Sequence, residues 1–587
     1  MNGPSTGTTP LRAWRALAAT LAAWVLALGA LALPQHYRDD LHSANEASRV
    51  YAALAIVHHG SGHLEPMFDT YFPAWRQSGR PPNVDVALKN GRFLPDKAPG
   101  LTLLAVPIIA TLSALGIEPG YAELVWLLSL LLSALPSVLV MFWLHRRLMR
   151  ELGAVPAFAI PAILLTSPWL IYGGMFFGHA LCASLVALGL PLALGALRPE
   201  ATRGALARDS FLGGLALGAA VLVEYPAMLL AAGAAAVLAL DSTRRPRLTW
   251  LLLGAIGPAL VLLTWNTLLF GGPLSFPYAY KAHAGMAAAH GVGAFGISWP
   301  QPDALHGLIL SSRRGLLHGT PWLLAGLVGA IAAGSDRSMA PVWRRALLVL
   351  PLCGIAAIAG FGDWHGGRAL GPRYLVFIFP LLAIAAASAI ARMGRGRLPD
   401  GILAVLGGLA GSSLLLGLAS AYGFPYVSEQ IVNPIFEVVL PSWHVVGPGP
   451  TRLDPLVPPP FGALLGAAAA LGALLLLGRE RCDLLEPSSP GSRPRGDAIE
   501  EPGALRPRRL GRTWVVLLAL SAAIMHLSLA SLPATAGPQG SRLVQKERAF
   551  ARGFLGGQEA ARAPVGILRK IEGHALGTLA DESARGL

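Results

Sequence analysis

A polytopic α-helical membrane protein is the fold class this sequence predicts, and three observations predict it. Of 587 residues, 54% are hydrophobic and only 13% charged, where soluble proteins carry roughly 25% charged residues. Apolar runs of about 18 or more residues recur along the chain, the length a helix needs to cross a bilayer. The basic residues gather in short stretches between those runs, at His145-Arg146-Arg147, Arg244-Arg245-Pro246-Arg247, Arg344-Arg345 and from Arg392 to Arg397. That clustering suits loops on the inner face of a membrane. It explains the net charge of +14 with no nucleic acid as partner. Cys182, Cys353 and Cys482 have neither a disulfide framework nor metal-type spacing.

The elements follow in order. Arg12 and Arg15 precede a long apolar run without a small-residue cleavage site, so roughly residues 12–34 read as an uncleaved first span. With the N-terminus inside, residues 35–100 form a first external loop. Its part from Asn45 to His58 has helical patterning and is expected to lie along the membrane surface. Further apolar segments occupy roughly 101–116, 122–144, 154–172, 180–197, 210–241, 248–269, 315–333, 345–361, 374–391, 401–421, 461–478 and 513–532. The run 210–241 is too long for one span and holds Glu224-Tyr225-Pro226 near its centre. Proline breaks or kinks a helix, so two shorter legs should meet at that triplet. The total is roughly 12–14 helices.

Residues 1–478 are expected to form one transmembrane domain. Residues 479–512, rich in Pro, Gly, Ser and charge, read as a disordered inner linker. Residues 513–532 are the last span, and 533–587 a polar tail with one short helix. One conflict stands at 101–144. Two full crossings there would carry Arg146-Arg147 outside, so either one helix does not cross fully or the charge rule fails locally. Internal repeats are absent.

Ionisable residues near a bilayer are costly and point to function. Asp39, Asp40 and Glu46 follow the first span, and any of these carboxylates could act as general base on an acceptor. Glu46 and Arg49 lie three apart and could pair on one helical face. Asp96-Lys97 precedes Ala98-Pro99-Gly100 and an apolar run. A helix N-terminus and a lysine together suit a lipid phosphate. His179, Glu224 and Tyr225 sit between apolar runs at the expected external face. The stretch from Trp364 to Tyr374 is the densest motif, with His365, Arg368 and Arg373 among glycines. Arginine suits bidentate phosphate contact. Arg314, in Ser311-Ser312-Arg313-Arg314-Gly315, is a second external basic site. His58, His59, His63 and Glu65 are too loosely spaced for a metal site and read as hydrated interfacial side chains.

Together these motifs resemble the GT-C superfamily of polyprenyl-phosphate-sugar-dependent glycosyltransferases, in particular bacterial relatives of protein mannosyltransferases and the lipid A aminoarabinose transferase. The matching stretches run in order over residues 12–478: Asn45 to Gly60, Gly91 to Gly100, Phe177-Gly178-His179, Glu224-Tyr225-Pro226, Trp265-Asn266 with Phe270 to Pro273, Arg314-Gly315-Leu316, and Trp364 to Tyr374.

The resemblance implies a GT-C bundle whose first external loop carries interfacial helices beside an outward-open cavity. A sugar on a polyprenyl-phosphate carrier would pass, with inversion, to an acceptor in the cell envelope. Asp96 and Lys97 would bind the carrier phosphate, with Arg373, Arg368, His365 and Arg314 in support. Arg49, His179, Glu224 and Tyr225 would line the cavity. Where relatives carry an Asp-Glu pair, this chain reads Asn45-Glu46, so either Glu46 is the base, or Asp39 or Asp40 reaches in, or the chemistry is different. No cofactor or metal is expected. The expected location is the bacterial inner membrane, active face outward. A transporter or flippase of lipid-linked substrates, and an envelope ligase or acyltransferase, are the rival readings.

Overall fold

The computed structural model describes residues 10–33, 43–78, 81–197, 206–293, 296–367, 369–393, 396–420, 431–446, 461–485, 510–536 and 542–555. They form an all-α bundle, apart from one small hairpin. Seven helices are long and apolar enough to cross a membrane, and seven shorter apolar helices accompany them. The longest, Tyr121–Leu152, contains a π turn at Leu130–Ala134. Pro136 follows that turn and has no N–H to return to the preceding one, which a local widening of the helix absorbs. The run around Glu224 divides as its proline dictates, into helix Leu206–Val223, a 3-10 turn Tyr225–Ala227 and helix Met228–Ala239. Helix Phe461–Leu485 extends past residue 478, carried on by good helix formers such as Arg479, Glu480 and Leu484.

Side-chain contacts fix which helix ends lie together. The Trp126 indole donates to the Ala32 carbonyl at 3.0 Å, and the Trp24 and Phe142 ring centroids lie 3.9 Å apart. Helices Pro10–Ala32 and Tyr121–Leu152 are therefore antiparallel, with Tyr121 at the Ala32 end. The chain between them begins and finishes at that end, so helix Gly100–Ala114 does not cross. This settles the conflict at 101–144: only the second of those helices traverses the bundle, and Arg146-Arg147 emerge at the opposite end.

That opposite end is where the arginines cluster. Arg244 donates to the carbonyls of Leu194 and Ala196, Arg247 to those of Leu192 and Ala193, Arg345 to Leu240 and Arg392 to Ala332. Each of these carbonyls lies at the C-terminal end of a helix, where the last turn has no intrahelical donors and carries partial negative charge. The basic loops thus also cap the spans.

The first loop, expected to carry interfacial helices, also contains a β-hairpin, Val86–Lys89 paired with Arg92–Pro95. Its two-residue turn is Asn90-Gly91, both at positive φ, the strongest short-range hairpin signal. Helix Ala44–His59 is more deeply set than a surface helix. Residues from Asn45 through Ala55 are buried, packed against helix Gly100–Ala114. At the same end, the segment 431–446 carries helix Arg542–Leu555, joined by the Arg548 guanidinium donating to the Glu437 carbonyl.

Candidate functional site

Most of the charged residues singled out in the sequence and described by the structure converge at the Ala32 end of the bundle, with Arg49 at the centre. Arg49 is 1% exposed. Its guanidinium donates to Glu224 at 2.8 Å, and to the backbone and side-chain oxygens of Asn45. The i, i+3 pairing expected with Glu46 does not form. A burial site inside the bundle offers Arg49 a carboxylate 175 residues away, which helical spacing cannot reveal. Glu46 instead accepts the Phe176 backbone N–H at 2.9 Å, tying the first loop to the 174–178 segment. Burial pushes the Glu46 carboxyl up to about 7, against the opposing pull of that N–H and of Arg49.

A second group gathers around Asp96. Lys97 bonds Asp85 at 2.9 Å and lies 3.5 Å from Asp96, while buried Lys281 pairs with the other oxygen of Asp96. Burial pulls the Lys97 ammonium down, but the two carboxylates outweigh it and hold it above its ordinary value. Burial would raise the Asp85 carboxyl, yet Lys97 and Lys281 hold it well below the usual range. Lys97, expected to face a carrier phosphate beside a helix N-terminus, has carboxylate partners within the fold. Lys97 is already engaged by two carboxylates, and Lys281 balances the second. Lys281 is held at the edge of the hairpin, where Ala282 N–H bonds the Val86 carbonyl at 3.1 Å.

The open chemistry lies next door. Glu224, at the break between its two helices, lines a small, narrow cleft together with His179, Cys182, Pro226, Tyr374 and Phe377. His179 begins helix Gly178–Leu194, and its Nδ1 lies 3.8 Å from Glu224 Oε1. Gly178 makes that approach possible: a Cβ there would overlap the Glu224 carboxylate. The His179 ring is held edge-on by Tyr172, Phe177 and Tyr374. Three buried polar atoms here have no hydrogen-bond partner among the described residues: His179 Nε2, the Tyr225 hydroxyl and Arg373 Nε. Native interiors rarely leave such atoms unsatisfied; His179 lines the cleft, while Tyr225 and Arg373 adjoin its lining residues Glu224, Pro226 and Tyr374 in the chain, an arrangement suited to a polar ligand.

The 361–374 segment closes the cleft. Arg373 donates to the Tyr374 hydroxyl at 3.0 Å, which in turn donates to Asp363 at 3.2 Å. The Arg373 guanidinium lies 5.9 Å from the Phe177 ring centroid and bonds no carboxylate directly among the described residues. His365 sits 3.3 Å from Asp363; burial nevertheless lowers its imidazole below the ordinary value. Arg314, buried, reaches the Gly367 carbonyl and borders a neighbouring cavity with His318, Leu370 and Leu416. Burial pushes its guanidinium down to about 9. Asp39, Asp40 and Arg368 lie outside the described residues.

Sequence reasoning missed Asp85, Lys281 and Asp363. Asp85 lies in a polar stretch with no periodicity to mark it. Lys281 had a usable signal: it ends Pro277-Tyr278-Ala279-Tyr280, and a lone lysine among aromatics asks for a buried partner. Glu65, read among the interfacial histidines, accepts the Phe93 N–H at 2.8 Å and fastens helix Glu65–Tyr71 to the hairpin. Among the described residues no group of three His, Cys, Asp or Glu could hold a metal ion.

No protein-family model matches this sequence, and no curated protein matches it significantly. Solved structures do. The chain is similar to ArnT from Cupriavidus metallidurans in the apo state, at 18% identity and TM-score 0.41, over 81% of this chain and 78% of that one. It is similar to the same protein bound to undecaprenyl phosphate, at 15% identity and TM-score 0.43, over 91% and 89%. The archaeal oligosaccharyltransferase AglB from Archaeoglobus fulgidus, in complex with an inhibitory peptide and a dolichol-phosphate, matches at 13% identity and TM-score 0.36, over 81% and 56%.

Proposed function

We propose that this chain is a GT-C-type integral membrane glycosyltransferase, which moves a sugar from a polyprenyl-phosphate carrier to an acceptor in the cell envelope. One observation carries the reading. At one end of a membrane-type bundle, a cleft is lined by the Glu224 carboxylate and the His179 imidazole, with the Arg373 guanidinium bonded to the lining residue Tyr374, and the hydrogen bonding of these groups is incomplete among the described residues. Transfer from a lipid phosphate needs those parts: a cation for the phosphate that leaves, and a carboxylate for the proton the acceptor gives up.

Arg373 is the principal phosphate ligand in this reading. Its guanidinium is oriented by Tyr374 and keeps donors in hand, whereas Lys97 is engaged by Asp85 and Asp96. Lys97 then contributes field rather than direct grip. Arg314 and His365 belong to the outer wall of the donor site. The arginine-capped end faces the cytoplasm by the positive-inside rule, which turns the cleft outward in a bacterial inner membrane. Residues 1–478 make the transferase body, with residues 35–100 as its external first loop. Beyond the inner linker expected over residues 479–512, the last span, residues 513–532, returns the chain to the outer side within helix Arg512–Ala536.

The test is transfer of label from a panel of radiolabelled polyprenyl-phosphate monosaccharides, using purified protein in nanodiscs and envelope extract as acceptor. Transfer from one donor supports the reading and names the sugar. A folded protein that leaves every donor intact overturns it and turns attention to transport or ligation.

A further inference from the structure

We propose that Glu224, steadied by Arg49 and partnered by His179, is the base that takes the acceptor's proton, and that the first-loop carboxylate Glu46 is a positioning residue. The inference rests on the transferase reading above and concerns the same cleft.

The geometry separates the two carboxylates. Glu224 lines the cleft; Glu46 is not among its lining residues. Arg49 holds Glu224 through Oε1, and Oε2 makes no hydrogen bond among the described residues. Glu46 spends Oε1 on the Phe176 N–H, two residues before the Gly178-His179 helix start. Its contact sets where that helix begins, and so where His179 stands.

Asn45 fits this division of labour. Its side-chain oxygen and its backbone carbonyl both accept from Arg49. A neutral amide orients the guanidinium while leaving its charge for Glu224. An aspartate there would compete for Arg49 and loosen its hold on Glu224. The chain Asn45, Arg49, Glu224 thus ends in a carboxylate aimed into the cleft. Gly178, lacking a Cβ, lets the carboxylate sit against the start of the His179 helix.

In the reaction, the acceptor hydroxyl or amine gives its proton to Glu224 Oε2 as its oxygen or nitrogen bonds the anomeric carbon. The bond from that carbon to the phosphate oxygen breaks, and its electron pair leaves with the polyprenyl phosphate, facing Arg373. His179 Nε2, buried and without a hydrogen-bond partner among the described residues, orients the acceptor.

The experiment compares wild type, Glu224→Gln and Glu46→Gln with and without sodium azide, an anionic nucleophile that needs no base. Glu224→Gln should lose about 10²–10⁴-fold in transfer to the native acceptor. It should keep its affinity for the polyprenyl-phosphate sugar and, with azide, consume the donor and yield glycosyl azide. Glu46→Gln should show no azide gain. Because Glu224→Gln leaves Arg49 short of a counter-charge, the double variant Asn45→Asp with Glu224→Gln restores one. It should fold, stay inactive toward the native acceptor, and respond to azide. Glu224→Gln working within tenfold of wild type overturns the proposal, as does loss of activity with donor still bound and no azide response. Either result leaves the transferase reading standing. A wild-type protein that consumes no donor overturns both.

Discussion

The cluster of Asp85, Asp96, Lys97 and Lys281 and the cleft of His179, Glu224 and Arg373 occupy the same end of one bundle and treat charge in opposite ways. In the first, two lysines meet two carboxylates at contact distance. In the second, Arg49 grips one oxygen of Glu224, while His179 Nε2 and Arg373 Nε stay unsatisfied. Paired buried charges are stable only as a set, because removing one partner strands the other. Unsatisfied polar atoms cost stability in the free protein and become worthwhile when a ligand completes them. The contrast assigns a fastening role to the first group, which locks the hairpin to residue 281 and the start of helix Gly100–Ala114. Ligand chemistry falls to the second.

Four perturbations break or sharpen that contrast. The largest effect on folding is expected from Lys281→Met, which leaves Asp85 and Asp96 to share Lys97 and should cost about 3–5 kcal/mol. Thermal melting in detergent reads it, and adding Asp96→Asn should return most of the loss. Arg373→Ala should instead leave melting nearly unchanged and slow transfer by roughly 10³-fold, about the effect of removing one transition-state donor; initial rates at saturating donor decide this. If the two variants exchanged phenotypes, the contrast would be inverted.

Glu46 gives a pH-dependent version. Its carboxyl titrates near 7 in the fold and from an ordinary value of 4.5 otherwise. Between those values the folded protein keeps a proton that the unfolded chain has released. Stability should therefore be full below about pH 4.5 and fall as pH rises to about 7, by about 3 kcal/mol at most. Glu46→Gln should flatten that slope in a series of melts, and an unchanged slope would count against a buried Glu46. The smallest effect belongs to Gly178→Ala. Its new Cβ displaces the Glu224 carboxylate, and a shift of this kind costs roughly 10²-fold in turnover. Donor affinity should be retained, since Arg373 is untouched; a matching loss of affinity would argue for a wider collapse.

How much of this was legible beforehand differs between the two regions. The cleft was largely visible as points: His179, Glu224 and Arg373 each interrupt or border an apolar run, and polar residues there are conspicuous. Pro226 also told where the Glu224 run would break, and the structure divides it there. The paired cluster was half visible. Asp96-Lys97 stood out before a span, but Asp85 and Lys281 sit in polar or aromatic loops where one more charge is unremarkable. Partner choice was the least legible. Local spacing suggested Glu46 for Arg49, and the fold supplied Glu224 from a distant helix break. The helix Gly100–Ala114 looked like a span because its composition is apolar throughout; only the Trp126 contact with Ala32 reveals that it stays at one end. The hairpin, by contrast, was announced by Asn90-Gly91 in a part of the loop for which no element was read.

The most direct test of the central claim is release of free polyprenyl phosphate from a polyprenyl-phosphate sugar, measured in parallel for purified wild type and Arg373→Ala. The account predicts acceptor-dependent release by wild type and roughly a thousandfold slower release by the variant, with both proteins equally folded. Release at equal rates from both, or none from a folded wild type, would contradict it.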